Sequence, residues 1–152
     1  MTSMNDCFTL EKCLYHDHLT LKNEIEEISK LEGFMEAVGE QTGIDVSLIT
    51  SLNLALEEAV TNVILYAYPE GQEGQADIDV YVNQEELKFV IRDSGTPFDP
   101  TAKEDADVTL SLEDRPIGGL GIFMVKQIMD TIEYEYREKQ NILILHKKIT
   151  EI

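Results

Sequence analysis

Glu58 and Asn62 stand four residues apart in Leu54-Ala55-Leu56-Glu57-Glu58-Ala59-Val60-Thr61-Asn62, a stretch with helical periodicity. Residues at i and i+4 share one helical face, so a carboxylate and a carboxamide can point into one pocket while Leu56, Ala59, Val60 and Val63 take other directions. Glu57 points elsewhere, toward solvent. Downstream, Asp93-Ser94-Gly95 closes an alternating, strand-like run, and Gly118-Gly119-Leu120-Gly121 precedes a second helical stretch. Each piece alone has an ordinary explanation: a solvated helix face, a turn, a loose glycine cluster. The glycines lack the Lys-Ser/Thr of a phosphate-binding P-loop and have no strand directly before them, which argues against that loop and against the dinucleotide fingerprint. In this order and at this spacing, the three segments describe a site for ATP.

The elements that must position them can be read from periodicity. Residues 1 to 18 carry little pattern and read as an extension ahead of one domain, 19 to 152. Leu19 to Asn23 alternates like a short edge strand. Ile25 to Val38 repeats apolar residues at helical spacing, with Gly39 and Gly43 around its end. Asp45 or Ser47 can cap the next helix, whose wide apolar stripe from Leu48 to Ile64 carries Glu58 and Asn62; Pro69 and Gly71 stop it near Tyr68. Two strands follow as a hairpin, around 78 to 82 and 87 to 91. From Thr96 to Ile117 there is no sustained period, prolines stand at 97, 100 and 116, and acidic residues gather after Asp99. A loop of that length between two nucleotide motifs is expected to be a mobile lid. A helix over Gly121 to Asp130 and strands over 132 to 137 and 141 to 149 close the chain, with Ile142 to Leu145 a nearly continuous apolar run suited to a central strand. The order predicts an α/β two-layer sandwich, a mixed, mainly antiparallel sheet with helices on one face.

Composition narrows the class. At 152 residues with 43% apolar content the chain suits one buried core. Thirty acidic residues against 12 basic give a net charge of −18, which makes a nucleic-acid surface a poor fit, since phosphate backbones are held by clustered Lys and Arg. Protein partners or a metal-chelated nucleotide are expected instead. No apolar run reaches the ~20 residues that span a bilayer, and no signal-peptide pattern opens the chain, so no membrane partner and a cytoplasmic location are expected. Cys7 and Cys13 read as reduced thiols. His16 and His18 form a His-x-His pair with no further metal ligand near in sequence.

The arrangement resembles the Bergerat-fold ATP-binding domains of gyrase-type, chaperone, mismatch-repair and sensor histidine kinase ATPases, and within them the small bacterial anti-sigma factor serine kinases. The resemblance covers about residues 19 to 150. It is carried by Leu54 to Asn62, by Arg92-Asp93-Ser94-Gly95-Thr96-Pro97-Phe98-Asp99-Pro100, and by Gly118 to Phe123 with Met129-Asp130. It implies ATP and Mg²⁺ as cofactors, with Asn62 as the Mg²⁺ ligand and Glu58 as the catalytic residue accepting a hydrogen bond from the attacking serine hydroxyl. Asp93 would accept from the adenine amino group, Gly95 would let the backbone pass close to the base, and Gly118, Gly119, Leu120 and Gly121 would turn N–H groups toward phosphate at a helix start. Arg115 is the side-chain candidate for the terminal phosphate.

One departure stands out. Related domains often carry a Thr on the late central strand that supports the adenine-binding Asp through a water, and the nearest equivalent position here is Ile144, so adenine binding is weaker than in the family or another polar group compensates. The resemblance implies a protein serine kinase acting as a regulatory switch, binding a sigma factor and phosphorylating an antagonist protein, with a homodimer common among small members. The alternative is a non-catalytic module that uses nucleotide only to set its shape.

Overall fold

The computed structural model describes residues 12–102 and 119–149. Arg115, Gly118 and most of the expected lid lie outside the described residues, as does Cys7. The elements run β1 (Tyr15–Lys22), a 3₁₀ turn (Ile25–Ser29), α1 (Lys30–Thr42), α2 (Val46–Tyr66), β2 (Gln75–Val82), β3 (Glu86–Asp93), a short 3₁₀ turn (Pro100–Ala102), α3 (Gly119–Ile128), β4 (Thr131–Arg137) and β5 (Gln140–Lys148). The five strands form one sheet in the order β1-β2-β3-β5-β4. All four pairings are antiparallel, so the parallel pair that a mixed sheet would contain does not occur among the described residues.

Helix boundaries follow local chemistry. Gly43 takes φ 75° at the end of α1 and donates to the Gly39 carbonyl at 2.9 Å, a left-handed cap that favours glycine. Gly39 itself lies inside α1, where a Cβ would stand 3.3 Å from the Ile49 side chain, so its absence lets α1 and α2 close together. Asp45 caps α2, its carboxylate accepting from the Ser47 N–H at 3.1 Å. Leu31, Phe34, Met35 and Val38 of α1, the buried stripe of α2, and Ile122 and Val125 of α3 pack on one sheet face with Ile78, Val80, Phe89, Ile91 and Leu145. That is the two-layer sandwich the pattern predicts. Among the described residues α2 is the one helix long and apolar enough to cross a membrane, by length and composition. In this fold it is a core helix, with Leu52, Ala55, Leu56 and Val60 sealed from solvent.

The first strand begins four residues earlier than the alternation suggests. Tyr15 to His18, assigned to the extension on sequence grounds, pair with Val82 to Asp79. The signal is hidden because inward-facing Tyr15, Leu19 and Leu21 are interrupted by Asp17, whose carboxylate accepts from the Tyr15 hydroxyl at 3.3 Å. On the face away from the helices, His16 and His18 both reach the buried Asp79 Oδ1, at 2.8 and 3.0 Å, and Arg92 donates to its Oδ2 at 2.7 Å. Burial pushes the Asp79 carboxyl up, but these bonds outweigh it and hold the group below the usual carboxylate range. The two imidazoles thus serve a carboxylate, and no group of three metal-ligating side chains occurs among the described residues.

Candidate nucleotide site

α2 places Asn62 and Ala59 on one side of a pocket whose sheet side is formed by Ile91, Asp93 and Leu143. Phe98 and Pro100, just beyond β3, also line it, together with Ile122 of α3, Tyr134 of β4 and Asn141 of β5. Two of the sequence-predicted residues therefore meet in one cavity. Asn62 is 8% exposed, and its carboxamide makes no hydrogen bond to a described residue. A buried polar side chain left without a partner is uncommon in a folded protein; here it faces a cavity.

Glu58 sits one turn earlier on α2, half-buried, and its Oε2 is sealed from solvent with no hydrogen-bond partner among the described residues. Burial raises the Glu58 carboxyl from its ordinary value, and the charge of neighbouring Glu57 adds to the shift. Glu57 is half-buried rather than solvated, and Asn53 Nδ2 donates to its Oε1 at 3.0 Å. The two adjacent carboxylates are thus differentiated, one hydrogen-bonded and one held in reserve.

Asp93 ends β3 at 5% exposure. Its Oδ1 accepts from the Gly95 N–H at 2.9 Å and from Asn141 Nδ2 at 2.9 Å. Burial pushes its carboxyl up, and those two hydrogen bonds oppose the shift. Gly95 has a different neighbour from the one expected. A Cβ there would stand 2.2 Å from the Ala67 carbonyl oxygen at the end of α2, and Thr96 N–H donates to that same carbonyl at 2.7 Å. The glycine fastens the end of α2 to the turn after Asp93, so it fixes the distance between the two walls. Gly95→Ala is expected to destabilise the fold by about 1–3 kcal/mol through overpacking against backbone, measured as a lower urea midpoint at unchanged slope.

Residues 21–147 match the histidine kinase-like ATPase domain. The chain belongs to that family. Among histidine kinase-like relatives, it is 28% identical over 148 residues to the serine-protein kinase RsbW of Listeria monocytogenes, covering 95% of this chain and 88% of that protein. It is 27% identical over 95 residues to the serine/threonine-protein kinase BtrW of Bordetella bronchiseptica, covering 62% and 67% of the two chains. The crystal structure of the RsbU and RsbW domains of a Mycobacterium tuberculosis protein superposes with a TM-score of 0.61 at 13% identity, over 91% of this chain and 33% of that longer one. This last likeness bears on the fold alone.

Set in this histidine kinase-like domain, α3 starts at Gly119, so Gly119, Leu120 and Gly121 form its first turn, the position where a helix end offers N–H groups. Ile144 is not the residue opposite Asp93. It pairs with Val90 and packs with Tyr81, Val90 and Ile142 away from the helices. The residue opposite Asp93 is Asn141, which sequence reasoning missed. Its carboxamide stands three residues before Ile144 and lines the pocket.

Proposed function

We propose that this chain binds Mg-ATP in the Asp93 pocket and transfers the terminal phosphoryl group to a serine of a partner protein, as a cytoplasmic switch of the anti-sigma-factor type. The observation that carries the reading is the meeting of buried Asp93 and of Asn62, whose carboxamide bonds no described residue, in one cavity, with the reserved Glu58 carboxylate one turn away on the same helix. The partners in this reading are a sigma factor and a small antagonist protein, with no nucleic acid and no membrane, and the chain works as a homodimer. The relatives named serine-protein kinase support the reaction class.

Asp93 accepts from the exocyclic amino group of adenine; guanine presents a carbonyl oxygen at that edge, so the carboxylate discriminates by repulsion as well as attraction. The donor set fits Mg²⁺, because a free carboxamide oxygen at a cavity wall suits a hard cation that shares its shell with phosphates and waters. Asn62 would hold the ion there, and the ion would supply neutralisation of phosphate charge. Gly119 and Gly121, with Gly118 before them, bring backbone N–H groups toward the phosphates, and Arg115 approaches the terminal one. Glu58 accepts the serine proton and orients the hydroxyl for in-line attack.

Calorimetry at matched magnesium tests the nucleotide assignment. Mg-ATP is expected to bind more tightly than Mg-GTP, and Asp93→Asn to weaken Mg-ATP binding by about 1–3 kcal/mol as a charge-assisted acceptor is lost. Equal affinity for the two nucleotides in the unaltered protein would remove the role given to Asp93.

A further inference from the structure

Asn141 makes four hydrogen bonds from one buried carboxamide. Its Nδ2 donates to Asp93 Oδ1 at 2.9 Å and to the Thr96 carbonyl at 2.9 Å, while its Oδ1 accepts from the Phe98 N–H at 3.0 Å and from the Tyr134 hydroxyl. A carboxamide offers two donors and two acceptor lone pairs, so every one is in use. Turned over, the group would set its oxygen against the Asp93 carboxylate and its NH₂ against the Phe98 N–H. The orientation is therefore fixed by the partners on both ends.

Two consequences meet at the pocket. Asp93 Oδ1 is filled by Gly95 and Asn141, while no donor among the described residues reaches Oδ2, so the carboxylate has one oxygen committed and one open. Meanwhile the same carboxamide anchors Thr96 and Phe98, the residues that follow the Asp93 turn. Phe98 lines the pocket, and its ring lies 6.3 Å from that of Tyr66 on α2. One side chain on β5 thereby sets both the hydrogen-bonding edge and an aromatic wall of the cavity.

We propose that Asn141 is a specificity-determining positioning residue: it presents Asp93 with a single open oxygen to the amino group of a 6-aminopurine nucleotide and seats Phe98 beside the base. This rests on the nucleotide reading above and deepens it. A threonine at this position offers one short-armed hydroxyl in place of two donors and two acceptor lone pairs, so it cannot hold Asp93, Thr96 and Phe98 at once.

The test is a double cycle on the full chain, with Asn141→Thr against removal of the amino group from the ligand, using ATP and the triphosphate of purine riboside, which lacks that group. If the unaltered protein binds neither nucleotide, it is the proposed function that fails, and this inference falls with it. Given ATP binding, loss of the amino group is expected to cost the unaltered protein about tenfold or more and Asn141→Thr distinctly less, a coupling that a purely structural role would not produce. Asn141→Asp supplies an independent arm. It keeps the shape but sets a second carboxylate against Asp93, with the Tyr134 hydroxyl, Asp99 and the cross-strand Tyr136 the other titratable groups nearby. Binding of ATP is expected to fall about tenfold or more at pH 8 and to recover as the pH drops, when one proton is shared between the two carboxylates. Equal losses for both nucleotides in folded Asn141→Thr, or Asn141→Asp binding ATP as the unaltered protein does at pH 8, would overturn the proposal. Circular dichroism confirms folding of each variant, and the threonine arm decides if the aspartate variant does not fold.

Discussion

Glu58→Ala is expected to bind Mg-ATP within a few-fold of the unaltered protein and to lose phosphoryl transfer to the partner serine by about 10²–10⁴-fold, the usual worth of a positioned base. The split arises because Glu58 does not line the base pocket, so the nucleotide does not depend on it. The hydroxyl it accepts arrives only with the protein substrate. The raised carboxyl gives the reaction an acid limb lying above the ordinary carboxylate range, since the base must be ionised to work. The same shift makes a stability prediction of definite sign. A carboxyl whose folded pKa is raised binds its proton more tightly in the folded state, so its contribution to stability is fully present below the unfolded value and is lost as pH rises through the folded one. At neutral pH Glu58→Gln is therefore expected to raise the melting temperature while abolishing transfer. A loss of stability in that variant would mean that the carboxylate has a structural partner.

Asn62→Ala is expected to fail at the earlier step, losing magnesium-dependent ATP binding by about 10–100-fold, of the order seen when metal sites lose a supporting group. Its fold should persist. Asn62 faces the cavity and makes no hydrogen bond to a described residue, so its truncation breaks no bond and strands no partner there. Titrations of ATP with magnesium and with a chelator present separate the two effects: the unaltered protein should respond strongly to the ion, and Asn62→Ala should bind the nucleotide equally weakly with or without it. A variant that retains the full magnesium response would require another ligand.

How far these roles could be read from the chain depends on what each residue's neighbours encode. Glu58 and Asn62 are legible because a 3.6-residue period fixes that i and i+4 share a face whatever the helix packs against. Asp93 is legible because the alternation of β3 ends on it. Asn141 is hidden by the strand that carries it: Ile142-Leu143-Ile144-Leu145 is apolar at every position, its side chains being buried on both faces of β5, and a run without alternation gives no parity. Without parity, Ile144 and Asn141 cannot be told apart as the partner of Asp93, although they point to opposite faces. Gly95 shows a second limit. Its need for space comes from the Ala67 carbonyl, 28 positions earlier in sequence, a contact that no local pattern records. The helix-on-sheet architecture was readable because burial on one face forces it; the strand register and the long-range backbone contacts were not.

The most direct measurement of the central claim is transfer of label from γ-radiolabelled Mg-ATP to purified small antagonist-type proteins encoded near this chain, run beside Glu58→Ala. Acid-stable label is expected on a serine of one such partner with the unaltered protein, about 10²–10⁴-fold slower with Glu58→Ala, and nucleotide binding intact in both. Nucleotide-dependent binding of a partner with no label transferred to it would contradict the kinase assignment and leave a module that uses ATP only to set its shape.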